Sequence, residues 1–227
     1  MLKNIVLDMD NMLIRTYTKD KKYQKLYEMG IMNDSRLLAL RDQIISFKLH
    51  DVNRKRGVGY DYNMWAIKRP HLDEFLIFCF EHFDNVIIWS AGQKEYVDCL
   101  IEKIFDPLRG IPEPKYVFTK DDCVYIRKNS KIPTKPLEII CNHEKFKGIV
   151  TLENTWLLDD LEINFVKNHS NGILIPAYIP ECNINNIVEL NKKDDYLLKF
   201  INWCKKNDIH SLKNDEDKTY GKHIFEK

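Results

Sequence analysis

The stretch Asn4-Ile5-Val6-Leu7-Asp8-Met9-Asp10, near the start of the chain, decides the fold. Its compact apolar run, bounded by polar residues, is typical of a buried strand in a parallel sheet. Asp8 falls at the carboxyl end of that strand and Asp10 follows two residues later, so both carboxylates point to the same side of an extended chain. Because ligands of open parallel sheets bind beyond the carboxyl ends of the strands, the sequence predicts a functional site at this end.

Strands and helices alternate along most of the remaining chain. Apolar residues recur at helical spacing in three segments, which are Leu72–Phe83, Tyr96–Ile104 and Leu197–Cys204. Short apolar runs predict further strands at Val86–Trp89, Thr155–Leu158 and Ile173–Ile175. This alternation predicts an α/β fold, a Rossmann-like parallel sheet with helices on both faces.

Two segments interrupt the alternation. Residues 15–65 follow the first strand and carry helical signals near Tyr23–Met29 and Leu37–Leu49, which predict a helical insertion or cap-like module. Ahead of Lys135, the runs Tyr116–Phe118 and Cys123–Ile126 predict a small hairpin or sheet.

The insertions leave one principal domain, which we expect over residues 1–210. Pro136–Cys141 is expected to form a short helix within it, and residues 211–227 are read as a polar tail.

The composition of the chain limits which partners it can bind and in which compartment it is expected. The 227 residues include 35 Lys and Arg against 34 Asp and Glu, a formal charge of +1, so no global field favours direct binding to nucleic acid. No run reaches the roughly 18 apolar residues of a membrane-spanning helix. Six scattered cysteines without metal-finger spacing fit a reducing compartment, so we expect an intracellular protein, cytoplasmic or nuclear.

Two pairs of aspartates carry the first chemical signal. Asp8 and Asp10 form one pair, and Asp159 with Asp160 forms another at the end of a different predicted strand. Adjacent anions repel unless a cation lies between them or one is protonated. Four carboxylates that converge at one sheet edge therefore predict a hard divalent metal ion. The alternative is that each pair only caps a helix or closes a turn.

A hydroxyl and an ammonium add to this signal. Ser90 follows a predicted strand, and its hydroxyl with the backbone N–H groups of Ala91 and Gly92 could cradle a phosphate at the start of the next helix. Lys135 precedes Pro136, which suits the first turn of a helix and holds the lysine near a strand end. Each feature alone is only a helix cap or a surface lysine. Together with the carboxylates they predict a site for phosphoryl transfer.

The same residues resemble the four motifs of the haloacid dehalogenase superfamily. They are Asp8-Met9-Asp10-Asn11-Met12, Ile88-Trp89-Ser90-Ala91, Lys135-Pro136-Leu137 and Leu158-Asp159-Asp160. The segment Lys68-Arg69-Pro70-His71-Leu72-Asp73-Glu74-Phe75-Leu76 is similar to one in the phosphatases of the RNA polymerase II C-terminal domain. Asn164-Phe165 resembles the branch of these phosphatases that carries a ubiquitin-like domain. We do not expect a ubiquitin-like domain within these residues.

The resemblance implies a role for each residue. Asp8 would be the nucleophile that becomes an aspartyl phosphate, and Asp10 the acid that protonates the leaving oxygen and then activates water. Ser90, Ala91 and Lys135 would hold the phosphate. Mg2+ would be bound by Asp8, the main-chain carbonyl of Asp10 and Asp160, with Asp159 as a further ligand or a supporting partner.

Two departures from the family pattern bear on this expectation. Met12 stands where relatives carry Thr or Val, and residues 15–65 form a longer insertion than theirs. An open cleft would admit a phosphoserine or phosphothreonine in a protein segment, whereas a closing cap would select a small phosphorylated metabolite or nucleotide. The resemblance favours a phosphoprotein substrate. A non-catalytic scaffold that binds phosphoproteins is the third alternative.

Overall fold

The computed structural model of the chain describes residues 3–17, 34–38, 40–50, 61–125, 133–181 and 183–209. Within them the strands are β1 (Asn4–Leu7), β2 (Ile14–Tyr17), β3 (Ile44–Leu49), β4 (Tyr62–Lys68), β5 (Asn85–Trp89), β6 (Tyr116–Phe118), β7 (Val124–Tyr125), β8 (Pro133–Thr134), β9 (Thr155–Asp159) and β10 (Gly172–Leu174). The helices are α1 (Ser35–Leu38), α2 (Leu72–His82), α3 (Lys94–Ile104), α4 (Glu138–Asn142), α5 (Ile184–Lys193) and α6 (Tyr196–Lys206).

The main sheet of the described residues has five strands in the order β10-β9-β1-β5-β6, and all its pairs are parallel. Asn4–Leu7 is the central strand, and Leu7 is in register with Ile88 on one side and Leu158 on the other. The residue after each of these positions therefore lies at the same sheet edge. The predicted α/β sheet is confirmed.

Helices cover both faces of this sheet. Ile5 and Leu7 point into a core formed with α2, α3 and α6, whereas Val6 points into a second core with the short helix Glu138–Asn142. This division follows from the strand period, because successive side chains of a strand point to opposite faces. The strand is therefore apolar throughout, as its position between two packed layers requires.

The helical prediction for the first insertion is wrong over Ile44–Leu49. These residues form an edge of a three-stranded antiparallel sheet, β2-β4-β3, in which Ile44 pairs with Ile67 and Leu49 with Tyr62. Phe47 and Leu49 are buried while Lys48 between them is exposed, a period of two that suits a strand better than a helix. Tyr23–Met29 lies outside the described residues.

The second insertion also differs in detail from its prediction. Tyr116–Phe118 does not pair with the segment after it, because it joins the main sheet as an outer strand beside Asn85–Trp89. Val124–Tyr125 pairs with Pro133–Thr134 instead, which confirms a small β element directly before Lys135. Ile126 lies outside the described residues.

The carboxyl-terminal part of the fold contains one helix that periodicity did not reveal, Ile184–Lys193, whose start is capped by the side chain of Asn183. No helix in the described part of the chain is both long and apolar enough to cross a bilayer. The tail predicted over residues 211–227 lies outside the described residues.

A buried arginine joins the first loop to this carboxyl-terminal part. Arg69 is 1% exposed, and its guanidinium donates to both carboxylate oxygens of Asp194 at 2.8 Å. It also donates to the carbonyls of Met12 at 3.1 Å and Pro176 at 2.7 Å. The planar fork of arginine allows all four bonds at once, which a lysine could not make.

We expect Arg69→Ala to lower the free energy of unfolding by about 3–5 kcal/mol, because it leaves the buried Asp194 carboxylate and two carbonyls without a partner. Urea unfolding followed by circular dichroism measures the loss. Arg36→Ala is the matched control: its ion pair with Asp34 lies on the surface, so stability should stay nearly unchanged. Equal losses in both variants would contradict a structural role for the buried arginine.

Candidate active site

Lys135 lies between two carboxylates at the edge of the main sheet. Its ammonium donates a hydrogen bond to Oδ1 of Asp8 and another, of 2.7 Å, to Oδ2 of Asp159. All three side chains are buried, and Asp159 is fully inaccessible. The sheet places the two aspartates together because each stands one residue beyond the paired positions Leu7 and Leu158.

A tight turn after the central strand aims Asp10 at the same site. Asn11 adopts a left-handed conformation with φ of 62°, and the carbonyl of Met9 accepts hydrogen bonds from the backbone of Leu13 and Ile14. Left-handed geometry is tolerated by asparagine better than by most side chains. Met12 is fully buried, so an apolar residue at this departure from the family pattern packs into the core.

The carboxylate of Asp10 has different partners from that of Asp8. Oδ1 accepts a hydrogen bond from the hydroxyl of Tyr96, and Oδ2 lies 3.5 Å from Oγ of Ser90. Ser90 is fully buried, and its Oγ accepts a 2.9 Å bond from the backbone N–H of Gly92. Ala91 lies between them at an exposed bend. The structure thus brings Ser90 to Asp10 and leaves Ala91 at the rim.

Three of the four aspartates form one acidic group. Carboxylate oxygens of Asp8, Asp159 and Asp160 lie within 4.8 Å of one another, whereas the carboxylate of Asp10 turns toward Tyr96 and Ser90. Oxygen donors this close are a fitting ligand set for a hard divalent cation such as Mg2+.

Asp159 and Asp160 differ in how much of each carboxylate is already occupied. Asp159 accepts bonds from Lys135, from the side chain of Asn164 at 2.7 Å and from the backbone N–H of Leu161 at 2.9 Å. Asp160 is partly exposed and accepts a 3.4 Å contact from the side chain of Asn11. Asp160 therefore has more room for a further ligand.

Burial and charge shift the acidity of the site residues. Burial, with smaller effects from Asp159 and Asp10, raises the pKa of Asp8 well above its usual range even though Lys135 opposes this. Burial likewise raises the pKa of Asp10. Burial and then the charge of Asp159 raise the pKa of Asp160 to about 6.

Burial acts on the pKa of the lysine in the opposite direction. Burial by itself lowers the pKa of Lys135, but the carboxylates of Asp159 and Asp8 outweigh burial and raise it. The ammonium is therefore charged at neutral pH, and it offsets the repulsion among the carboxylates.

Sequence reasoning missed four residues that support this site. Tyr96 was assigned only to the apolar face of a helix, and nothing in its spacing shows that its hydroxyl reaches Asp10. Thr16 lies 2.8 Å from that hydroxyl, Arg15 donates a 2.7 Å bond to Asn11, and Asn11 contacts Asp160. Thr16 and Arg15 lie on the strand Ile14–Tyr17, for which the sequence pattern predicted no element, so no signal placed them here.

The chain is similar to known proteins in sequence and in fold. Ubiquitin-like domain-containing CTD phosphatase 1 of Danio rerio is 28% identical over 181 residues, which cover 78% of this chain and 53% of the relative. The Homo sapiens protein of the same name is 28% identical over 190 residues, covering 80% of this chain and 54% of the relative. This chain thus spans about half the length of the curated relatives it matches.

Two solved structures share the fold. One is the fission yeast RNA polymerase II CTD phosphatase Fcp1 bound to beryllium fluoride, with a TM-score of 0.58, 18% identity, and coverage of 93% of this chain and 53% of that one. Another, described as the structure of Fcp1, an essential RNA polymerase II CTD phosphatase, has the same TM-score and identity and covers 95% and 58%. At this identity the likeness concerns the fold.

The central strand and the surrounding parallel sheet thus define an α/β domain that shares its fold with these two structures. A family model described as NLI interacting factor-like phosphatase matches residues 3–212. The chain belongs to that family.

We expect Mg2+ or Mn2+ to raise the midpoint of thermal unfolding, because a ligand that binds only the folded state stabilises it. At 100 times Kd the gain is about 2.7 kcal/mol, or on the order of 5–10 °C for a domain of this size. Asp160→Asn should remove most of this rise. Asp98→Asn, which changes an exposed acid paired with Lys94, should keep it. Persistence of the full rise in Asp160→Asn would exclude that residue as a ligand.

Proposed function

We propose that this chain is a magnesium-dependent phosphatase that hydrolyses phosphomonoesters through an aspartyl phosphate on Asp8. The observation that carries the proposal is the buried ammonium of Lys135, which holds one oxygen of the Asp8 carboxylate at the end of the central strand. A carboxylate fixed in this way has its other oxygen available for in-line attack on phosphorus.

The proposed reaction has two steps. In the first, a carboxylate oxygen of Asp8 attacks phosphorus, the ester bond to the leaving oxygen breaks, and Asp10 gives its proton to that oxygen. In the second, Asp10 takes a proton from water, the water oxygen attacks phosphorus, and the bond between phosphorus and Asp8 breaks. Inorganic phosphate leaves, and both aspartates return to their starting states.

The remaining residues stabilise charge. Lys135 and Ser90, with the backbone N–H group at Ala91, would contact the phosphate oxygens, where negative charge is present throughout. The carboxylates of Asp8 and Asp160 and the main-chain carbonyl of Asp10 would hold Mg2+, which when bound neutralises charge on the phosphate and between the carboxylates. We assign Asp159 to the support of Lys135, because its oxygens are already occupied by three donors.

The substrate we propose is phosphoserine or phosphothreonine in an extended protein segment. The support is the family of the chain and the printed names of its relatives, which are CTD phosphatases. A small-molecule or nucleotide substrate enclosed by residues 15–65 is the alternative. A scaffold that only binds phosphoprotein is disfavoured, because every residue that the chemistry requires is present at the sheet edge.

We place this activity inside the cell, in the cytoplasm or nucleus. Cys79, Cys99, Cys123, Cys141 and Cys204 are free thiols in the described part of the chain, as a reducing compartment favours. The near-neutral charge gives no reason to expect direct contact with nucleic acid.

We expect the wild-type chain to hydrolyse a phosphoserine peptide with Mg2+, and Asp8→Asn to reduce turnover to the uncatalysed background because no acyl phosphate can form. Asp10→Asn should cost about 10²–10⁴-fold, the usual contribution of a general acid or base. Released phosphate measures both. A persisting rate in Asp8→Asn would exclude it as the nucleophile.

Asp84→Asn is the matched control for these variants. Asp84 is exposed at the opposite, amino end of the strand that leads to Ser90, so its loss should leave turnover unchanged. A panel of sugar phosphates and nucleotides, compared with the peptide by kcat/KM, separates the substrate classes. A preference for the small molecules would favour the capped alternative, and no turnover of any compound would favour the scaffold.

A further inference from the structure

The general acid of the proposed reaction is held by a residue that the chemistry does not itself require. The hydroxyl of Tyr96, on the first turn of the helix after Ser90, donates a hydrogen bond to Oδ1 of Asp10. The same hydroxyl oxygen lies 2.8 Å from Oγ1 of Thr16. A phenol has one proton, so when it donates to the carboxylate it accepts a hydrogen bond from the threonine.

The two oxygens of Asp10 are therefore not equivalent. Oδ1 is bound to the phenol, whereas Oδ2 lies on the side of Ser90, at 3.5 Å from its hydroxyl. Ser90 is one of the proposed phosphate contacts, so the leaving oxygen of a bound phosphoester would be on that side. Fixing Oδ1 aims Oδ2, with its proton, at the leaving oxygen.

The tyrosine ring is itself fixed by close packing. Its nearest constraint is Gly92, where an added Cβ would lie 2.6 Å from Cδ1 of the ring, a distance that carbon atoms do not reach without displacement. On another side Phe47, from the antiparallel sheet, packs against it with ring centroids 6.0 Å apart. With so little room, the hydroxyl has a defined position relative to Asp10.

From these contacts we infer that Tyr96, held by Thr16, is a positioning residue that orients the Asp10 carboxylate for proton transfer to the leaving oxygen. The inference rests on the proposed function and deepens it, because it identifies what aligns the acid. It also gives the first insertion a part in the reaction, since Thr16 lies on its strand Ile14–Tyr17.

The test compares two substrates that differ in their need for a proton. An alkoxide such as the serine side chain leaves poorly unless it is protonated, whereas p-nitrophenolate leaves readily as an anion. The measured quantity is kcat/KM, which reports steps up to formation of the aspartyl phosphate and so excludes the later hydrolysis. Tyr96→Phe keeps the ring and removes only the hydroxyl.

We expect Tyr96→Phe to lower kcat/KM for a phosphoserine peptide by about 10–100-fold, part of the 10²–10⁴-fold that acid catalysis supplies, and to lower the value for p-nitrophenyl phosphate at least ten times less. Thr16→Val should show the same selectivity with a smaller loss, and Thr16→Ser, which keeps the hydroxyl, should restore the wild-type values. Thr16→Val also serves if Tyr96→Phe does not fold.

Tyr116→Phe is the matched control. Its half-buried ring packs against Phe146 on the outer strand of the main sheet, so it removes a phenol hydroxyl away from Asp10 and should leave both substrates unaffected. Circular dichroism and thermal unfolding establish that each variant is folded.

Equal losses on both substrates, or no loss on either, in an active wild-type background would overturn the positioning role alone. A wild-type chain that hydrolyses neither substrate would overturn the proposed function, and this inference would fall with it.

Discussion

The ammonium of Lys135 between two buried carboxylates is the interaction on which the site depends. The sheet order brings Asp8 and Asp159 to neighbouring strand ends, where two ionised carboxylates would repel each other in surroundings of low polarity. Lysine supplies one positive charge within hydrogen-bonding distance of both. Burying three ions is costly, and pairing with good geometry offsets that cost only when every ion has a partner.

Because of this pairing, the four aspartates of the site have different environments. Both carboxylate oxygens of Asp159 accept hydrogen bonds, and one of them binds Lys135. Asp8 has one carboxylate oxygen that Lys135 does not bind, and Asp160 is partly exposed. The carboxylate of Asp10 lies outside this acidic group and contacts the hydroxyls of Ser90 and Tyr96. Four carboxylates near one sheet edge thus have four environments, which is how one residue type can supply distinct chemical functions.

The sequence predicted those parts of the molecule that strand period and motif order determine. Asn4–Leu7 as the central strand, the parallel sheet and the placement of Asp8, Ser90 and Asp159 at one edge follow from apolar runs that end in polar residues. The placement of Lys135 follows from the proline after it, which suits the first turn of a helix. The helical prediction for Ile44–Leu49 failed because a short apolar run is compatible with both the helical and the strand period. Only the pairing of this segment with Tyr62–Lys68 selects the strand.

Tyr96 shows a different limit of sequence reasoning. Helical spacing places a tyrosine on the buried face, but it contains no information about which polar group the phenol meets across the fold. That partner depends on the turn at Asn11 and on the strand that carries Thr16, both of which are long-range consequences of folding. The chemistry of the strand ends was therefore visible in the sequence, and the layer that supports it was not.

The hydrogen bonds of Arg69 determine when, during synthesis of the chain, the loop after the first strand can become fixed. The loop that carries Asp10 is tied to Pro176 and Asp194 through that guanidinium, and the carbonyl of Asn11 accepts a 2.7 Å bond from the backbone of Tyr178. A nascent chain emerges from its amino end, so the strand Asn4–Leu7 leaves the ribosome about 170 residues before these partners do. The loop after the strand Asn4–Leu7 is therefore fixed only when a much later part of the domain has been synthesised. A product that ends before Pro176 would carry the complete aspartate pair without its bonds to that carboxyl-terminal part.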